Sequence, residues 1–304
     1  MVIFNIIFLA LIVGAALKRS QYERGCLHTD TYRFASPYIR EARRYVFLSD
    51  LHEKEFGHHN EQLLTSIRAL RPDAVLIGGD LVVSGKARSK KGKGKRDLVE
   101  NSVRFLNILK QQYPVYFVSG NHETRLFRKA AEDRELRAHA SGSAAAAAQF
   151  AEALTGVTVL DGRTVTDGGI SLTGVVLTEE WYGKLFFRKK KAVPEEKLAE
   201  LRSQLKDGAY HIVLLHSPLF AEELCRAGAD LVLSGHFHGG TIRLPFLGGL
   251  MTPQFQFFSR KCAGLSTAGP GLLLVNRGLG THTVDIRLNN LPEISLLILE
   301  PSGS

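Results

Sequence analysis

Five apolar runs in this chain of 304 residues each end beside residues of the kind that bind metal ions. Runs of four or five consecutive apolar residues are typical of strands that are buried on both faces of a parallel sheet. Segments with helical periodicity lie between several of them, which predicts an α/β protein. The runs occupy residues 45–49, 74–78, 115–119, 211–215 and 231–235.

The residues that follow these runs offer carboxylate, amide and imidazole groups. In an α/β sheet, ligands bind at the carboxyl ends of the strands, so one shared site is predicted. Mixed oxygen and imidazole ligation suits manganese, iron or zinc better than calcium. Two cations held close together need a bridging carboxylate, which Asp80 can supply. The candidate metal ligands are Asp50, His52, Asp80, Asn121, His216, His236 and His238.

The sequence blocks around these residues resemble the five blocks of the calcineurin-like metallophosphoesterases, in the order of that family. The resemblance implies a four-layer α/β/β/α sandwich that acts as a metal-dependent phosphoric ester hydrolase. The apolar N-terminal segment and two C-terminal stretches, Arg277-Gly-Leu-Gly280 and Leu291-Pro-Glu293, look like the membrane-associated bacterial branch. The five blocks are Asp50-Leu-His52, Gly79-Asp80, Gly120-Asn121-His122-Glu123, His216 and Gly235-His236-Phe237-His238.

The resemblance also implies a mechanism. A water that bridges two divalent metal ions would become hydroxide and attack phosphorus in line. His122 is not a ligand in the family, and it would protonate the leaving oxygen or stabilise the developing charge. Asp80 would bridge the ions, with Asp50, His52 and His238 on one ion and Asn121, His216 and His236 on the other.

One position departs from the family pattern. Many members carry a second acid three residues after the bridging aspartate, and this acid orients the catalytic histidine. Val83 occupies that position here. His122 therefore needs another partner, and Asp97 is a candidate only if the basic loop at 86–96 folds back.

The N-terminus suggests a membrane segment. Residues 1–17 contain no charged side chain, and as a helix they would span about 25 Å of a hydrocarbon core of about 30 Å. A transmembrane anchor and a cleaved signal segment are both compatible with this stretch. Lys18, Arg19 and Arg24 follow it, and the positive-inside rule places the following domain on the cytoplasmic side. We predict a single-pass membrane protein with a basic juxtamembrane linker at 18–44 and a phosphoesterase domain at 45–304.

The predicted substrate is a phosphorylated small molecule or lipid. The apolar stretch 245–258 either packs in the core or forms a lip that meets lipid or an acyl substrate. The membrane segment favours a lipid-linked phosphate, and related enzymes cleave the pyrophosphate of UDP-diacylglucosamine. The alternative is a catalytically silent, membrane-tethered metal-binding scaffold, which loss of ligands would support, although no ligand is lost.

Other features carry less information. The net charge is +9, and much of the excess lies in the loop 86–96. That loop has no aromatic residues interleaved with its charges, so the sequence does not favour nucleic-acid binding. His58 and His59 either reach the mouth of the site or lie on a plain surface loop. The alanine run 144–148 predicts a surface helical insertion. The oligomeric state is not indicated.

Overall fold

The computed structural model describes residues 1–84, 99–135, 142–185, 192–281 and 284–302. Seven α-helices and fifteen strands are assigned within these ranges. The helices are α1 (Val2–Glu23), α2 (Glu61–Ala69), α3 (Glu100–Leu109), α4 (Asn121–Glu135), α5 (Gly142–Ala153), α6 (Glu195–Gln204) and α7 (Ala221–Arg226). The strands are β1 (His28–Ser36), β2 (Arg43–Leu48), β3 (Ala74–Ile77), β4 (Val115–Phe117), β5 (Thr158–Val159), β6 (Thr164–Asp167), β7 (Ile170–Val175), β8 (Tyr210–Leu215), β9 (Leu231–Ser234), β10 (Arg243–Leu244), β11 (Gly248–Met251), β12 (Phe257–Ser259), β13 (Gly264–Ala268), β14 (Gly271–Val275) and β15 (Glu293–Pro301).

These strands form two six-stranded sheets and one small sheet. The first sheet has the order β1-β15-β2-β3-β4-β5, and the second has the order β13-β14-β9-β8-β7-β6. Strands β2 to β5 run parallel to one another, as do β7, β8, β9 and β14. Strands β10, β11 and β12 form the third, antiparallel sheet.

Side-chain alternation along the strands divides the core into layers, because successive residues of a strand point to opposite faces. In β2, Val46 and Leu48 belong to the apolar cluster that contains the buried faces of α2 and α3, whereas Phe47 packs between the two sheets. In β8, Leu214 faces the first sheet and Val213 faces α7. The predicted four-layer α/β/β/α sandwich is therefore confirmed.

The alanine-rich helix α5 belongs to the core, so the predicted surface insertion is wrong. Ala146, Ala147, Phe150 and Ala153 are buried in the cluster beneath the first sheet. The helix packs against α3 and α4. Small alanine side chains let neighbouring helices approach closely, and Phe150 supplies the apolar bulk.

The segment predicted as a linker at 18–44 is largely ordered secondary structure. Helix α1 continues to Glu23, and β1 pairs in parallel with β15 from His28 opposite Glu293 to Ser36 opposite Pro301. The sequence suggested a linker because β1 is an edge strand with mainly polar, exposed side chains, and only Phe34 and Ser36 are buried. The first sheet therefore begins before residue 45.

Helix α1 does not pack in an apolar core. Its side chains are exposed, with Ile3 at 74% and Leu11 at 67%. Within the described ranges, it is the one helix whose length and hydropathy would allow it to cross a membrane, a test that signal sequences also pass. Only its last turn is buried, at Ser20 and Glu23.

Candidate metal centre

The loops after β2, β3, β4, β8 and β9 bring all seven candidate ligands to one edge of the sandwich. Six of them, together with His122, form overlapping groups in which the donor atoms lie within 4.8 Å of one another, and Asn121 lines the same cavity. Each of the seven residues is 8% exposed or less. The groups are Asp50, His52 and His238; Asp80, His216 and His236; and His52, Asp80 and His122.

The Nε2 atoms of the histidines converge on the carboxylates. His216 Nε2 lies 3.1 Å from Asp80 Oδ2, and His238 Nε2 lies 3.3 Å from Asp50 Oδ1. His52 Nε2 lies 3.2 Å from His238 Nε2 and 3.8 Å from Asp80 Oδ2. Asp80 thus faces both histidine groups, which is the position that a bridging carboxylate requires.

Hydrogen bonds behind the rings fix which nitrogen faces the centre. His216 Nδ1 donates to Gly78 O at 2.7 Å, and His238 Nδ1 donates to Gly280 O at 3.2 Å. A carbonyl can only accept, so Nδ1 carries a hydrogen and Nε2 is the nitrogen that faces the centre.

Two buried atoms test whether the residues fit metal ions. Asn121 Oδ1 and His236 Nε2 are inaccessible to water and have no hydrogen-bond partner among the described residues. Buried polar atoms are normally satisfied, and a cation would satisfy both. Together with the carboxylates and imidazoles around them, these atoms make the cluster suited to divalent metal ions.

The charge states suit metal ligation. Burial raises the pKa of Asp80, but His216 and His122 oppose it and hold that pKa well below its usual range. Burial lowers the pKa of His236 and of His238 to about 3 each. Burial also lowers the pKa of His216, but Asp80 and Asp50 outweigh it and raise the value to about 10. The cluster thus pairs ionised carboxylates with two neutral imidazoles.

The ligand loops adopt strained backbone conformations. Asp50, His52, Asp80, His236 and His238 have φ angles between 47° and 66°, in the left-handed region. Residues other than glycine rarely adopt this region, and such strain concentrates at functional sites where surrounding contacts hold it. A Cβ atom at Gly235 would overlap the Asp50 carboxylate. The loops therefore approach too closely for any larger residue there.

Glu123 holds two of these loops together. Its carboxylate accepts hydrogen bonds from the backbone N–H groups of Asp80, at 2.8 Å, and of Gly120, at 2.9 Å. A third comes from Val82 N at 3.2 Å, and the side chain is fully buried. Glu123 thus ties the loop after β3 to the start of α4.

Asn276 and Asp161 support the site from further away. Asn276 Oδ1 accepts from Gly278 N at 2.7 Å and from Ser49 Oγ at 3.3 Å, next to Asp50. Asp161 accepts from Ser119 N at 2.8 Å and from Ser119 Oγ at 2.6 Å. Sequence reasoning missed both, although Asn276 directly follows the apolar residues of β14 and Asp161 directly follows Leu160, so the spacing that identified the metal-ligand candidates could have found them.

Among the described residues, Ser84 contacts His122, next to Val83 at the position of the family's acid. The backbone N–H of Ser84 donates to His122 Nδ1 at 2.8 Å, and Ser84 Oγ lies 3.1 Å from the same atom. A backbone N–H cannot accept, so Nδ1 is the acceptor and Nε2 carries the proton. His122 Nε2 lies 4.0 Å from Asp80 Oδ2. The loop 86–96 and Asp97 lie outside the described residues.

A cavity of about 290 Å³ opens over this cluster. One wall contains metal-ligand candidates and His122, and Arg125 and Lys184 add positive charge. The Tyr182 ring packs edge-on against His236, with centroids 5.0 Å apart. Arg125 lies one helical turn after Asn121 and was detectable by that spacing, whereas Tyr182 carries no sequence signal. The same cavity is also lined by the apolar residues Met251, Pro253, Phe255, Val284 and Ile286.

His58 and His59 do not line this cavity. They lie with Glu55 in a separate surface group, where His59 contacts Arg104. The interpretation in which they belong to a surface loop is therefore the one that the structure favours.

The apolar stretch 245–258 forms much of β11 and β12 rather than core. Phe246 is 95% exposed and Phe258 is 52% exposed, so core packing is wrong for these side chains. Met251 and Phe255 instead reach the cavity.

Comparison with known proteins agrees with this geometry. The model of the calcineurin-like phosphoesterase family matches residues 43–240. The chain is 37% identical over 101 residues to YkuE of Bacillus subtilis, named as an uncharacterized metallophosphoesterase, and this match covers 33% of the chain and 35% of YkuE. It is 27% identical over 263 residues to the phosphodiesterase YaeI of Escherichia coli, covering 84% of the chain and 82% of YaeI. It is also 27% identical over 284 residues to YpbG of Bacillus subtilis, named as an uncharacterized protein, covering 90% and 87%.

The family match extends over more than half of the chain and includes the loops that carry all seven clustered side chains. Two of these relatives are named as a metallophosphoesterase and a phosphodiesterase. The chain therefore belongs to the calcineurin-like phosphoesterase family and is a metal-dependent phosphoric ester hydrolase.

Proposed function

We propose that this protein hydrolyses a lipid-linked phosphate ester or pyrophosphate, such as a UDP-diacylglucosamine-type substrate. The observation that carries this proposal is the mixed lining of the cavity, in which the metal-ligand candidates occur together with the apolar residues Met251, Phe255 and Ile286. The metal-ligand candidates would bind a phosphate group, and the apolar residues would contact an acyl chain. The name of the relative YaeI supports a phosphodiester as one form of the scissile group.

We propose that the two metal ions are manganese, iron or zinc, and that each ion is held by one group of side chains. When bound, they supply Lewis acidity that activates water and neutralises charge on the phosphoryl oxygens. The protein contributes Nε2 atoms aimed by backbone carbonyls, and a carboxylate at Asp80 placed between the groups. One ion would be held by Asp50, His52, Asp80 and His238, and the other by Asp80, Asn121, His216 and His236.

His122 is the proposed proton donor. The backbone N–H of Ser84 donates to His122 Nδ1, so the neutral imidazole carries its proton on Nε2. In this tautomer, His122 donates Nε2–H to the leaving oxygen. Arg125 and Lys184 lie at the same cavity and would attract the anionic substrate.

Membrane association is also part of the proposal. Helix α1 would anchor the chain as a single-pass protein, with the phosphoesterase domain on the cytoplasmic side. Support comes from its exposed apolar side chains and from the cationic residues Lys18, Arg19 and Arg24 near its end.

The test is hydrolysis by the full-length chain in mild detergent, with and without added manganese. The substrates are bis-p-nitrophenyl phosphate, p-nitrophenyl phosphate and a diacylated nucleoside diphosphate sugar. We expect metal-dependent turnover, with the highest kcat/KM for the lipid. Turnover of the soluble esters without any preference for the lipid would contradict the substrate assignment. Two bound metal ions without turnover of any substrate would favour the silent scaffold.

A further inference from the structure

Four large apolar side chains face solvent on the small third sheet, and we call them the aromatic rim. The exposed fractions are 95% for Phe246, 49% for Leu247, 46% for Phe257 and 52% for Phe258. Phe246 and Leu247 form the turn between β10 and β11, and the other two lie on β12, which pairs with β11. Single exposed apolar residues are ordinary, whereas several exposed together on one small sheet indicate an interaction surface.

The backbone holds part of this rim in an unfavourable conformation. Phe246 has a φ of 65° and Phe258 a φ of 54°, in the left-handed region that bulky residues rarely adopt. Glycine or asparagine would fit these positions with less strain. Both residues thus combine backbone strain with exposure of an aromatic ring to water, a combination that points to a function outside the folded chain.

The rim and helix α1 attach to the same short segment of the chain. Asn289 accepts a hydrogen bond from Arg19 at 2.8 Å and donates to the carbonyl of Arg243, in β10, at 3.3 Å. Asn290 N donates to Glu23, in the last turn of α1, at 3.2 Å, and Asn290 Nδ2 donates to Thr241 O at 3.3 Å. The adjacent residues Asn289 and Asn290 therefore connect the base of the rim sheet to the end of the apolar helix.

Positive charge accompanies the rim. Arg243, Arg260, Phe246 and Asn289 line a surface groove of about 510 Å³, and Lys261 follows Arg260. Aromatic rings beside arginine and lysine are the composition that membrane interfaces favour, because the rings enter the headgroup region and the cations meet anionic lipids. The groove thus complements the charge of an anionic lipid headgroup.

We propose that the aromatic rim and its arginines enter the interface of the same bilayer that holds α1. Strand β11 and the turn after it carry Met251, Pro253 and Phe255 into the wall of the metal cavity. Seating the rim in the headgroup layer therefore places the mouth of that cavity at the lipid surface. This proposal rests on the membrane association proposed above but on no particular substrate.

The test uses depth-dependent quenching in nanodiscs that contain phosphatidylglycerol with brominated acyl chains. Tryptophan is introduced into the full-length chain at the rim as Phe246→Trp. Leu265→Trp is the matched control, because Leu265 is a comparably exposed apolar residue, at 44%, on the edge strand β13. Phe8→Trp, within α1, reports on the anchor. The parent chain, with its single Trp181, gives the background.

We expect strong quenching at positions 8 and 246 and none above background at position 265. Quenching at position 8 with position 246 equal to position 265 would overturn the rim proposal and leave the anchor intact. Absence of quenching at both 8 and 246 would overturn both. Phe258→Trp supplies a second rim probe if Phe246→Trp fails to fold.

A second copy of this chain is the other occupant that could cover the rim. Nanodiscs loaded with one chain each exclude it, so quenching there reports on lipid alone. Crosslinking of two chains through the rim in detergent, together with unquenched rim probes in nanodiscs, would overturn the proposal. It would show that a second copy of the chain covers the rim instead of lipid.

Discussion

The metal-ligand cluster and the aromatic rim invert the usual distribution of residues in opposite ways. The cluster buries ionised and polar side chains, at 8% exposure or less, whereas the rim exposes aromatic ones, up to 95% at Phe246. Burying a charge without a partner and exposing a large apolar patch are both unfavourable. Left-handed backbone occurs in both regions. Each region therefore needs a partner from outside the chain, which is a cation for the buried cluster and, we propose, lipid for the exposed rim.

The largest effect should come from removing the carboxylate that faces both histidine groups. Asp80→Ala should lower kcat/KM by about 10³-fold or more, because charge stabilisation by the metal ions amounts to several kcal/mol. Metal content, measured by plasma emission spectrometry, should fall as well. Added manganese should raise the melting temperature of the parent but not of the variant, because only the parent binds it tightly. Asp207→Ala, at an exposed position, is the control. A variant that still binds both metal ions would contradict the proposal that the buried cluster holds its cations through Asp80, and with it the contrast between the cluster and the rim.

Within the cluster, His122→Ala should separate metal binding from proton transfer. We expect kcat to fall by about 10²- to 10⁴-fold, with the metal content unchanged. The loss should be greater for alkyl phosphate esters than for p-nitrophenyl esters, because a poor leaving group needs the proton more. Stopped assays on both ester types measure it. Equal losses on the two would contradict proton donation.

Arg287 links the cluster to the end of α1, where its backbone N–H donates to Ser20 Oγ at 3.0 Å, and loss of its side chain should have an intermediate effect. The fully buried guanidinium donates to the carbonyls of Arg277 and Gly278, at 2.9 Å each, and of Gly280, whose oxygen also orients His238. Arg287→Met should lower the free energy of unfolding by about 1–3 kcal/mol, because buried carbonyls lose their donors.

Metal affinity in this variant should fall by about 10- to 100-fold through His238. Denaturant titration and metal titration measure the two effects separately. Arg287→Lys should restore the charge but only part of the affinity, because lysine lacks the planar fork of donors. Unchanged metal affinity in Arg287→Met would contradict the proposed effect of Arg287 on His238.

The smallest effect is expected at the rim. Phe246→Asn should leave the free energy of unfolding unchanged or raise it by up to about 1 kcal/mol, because asparagine tolerates left-handed backbone and no packing is lost. Thermal unfolding in mild detergent measures it. A loss of stability would mean that Phe246 packs against the protein, and the contrast with the buried cluster would disappear.

Apolar runs and helical periodicity predicted an α/β protein because they are local signals, whereas the four-layer arrangement was implied by the resemblance to the calcineurin-like metallophosphoesterases. The same logic predicted that the residues after five strands would meet, and the structure brings them together. It could not predict Tyr182 or Ser84, because both reach the site through loops without periodic pattern. The edge strand β1 resembled a linker, since only one side of it is covered.

The pairing of β1 with β15 has a consequence for biosynthesis. Strand β1 follows closely after α1, yet its partner strand is the last in the chain order, inserted between β1 and β2. During translation, α1 leaves the ribosome first, and β1 then has no neighbour until residues 293–301 have been made. Pairings between distant segments form slowly and leave strand edges open in the meantime. Termination before β15 would therefore leave the nascent chain with an open sheet edge beside α1, the kind of defect that proteolytic quality control detects.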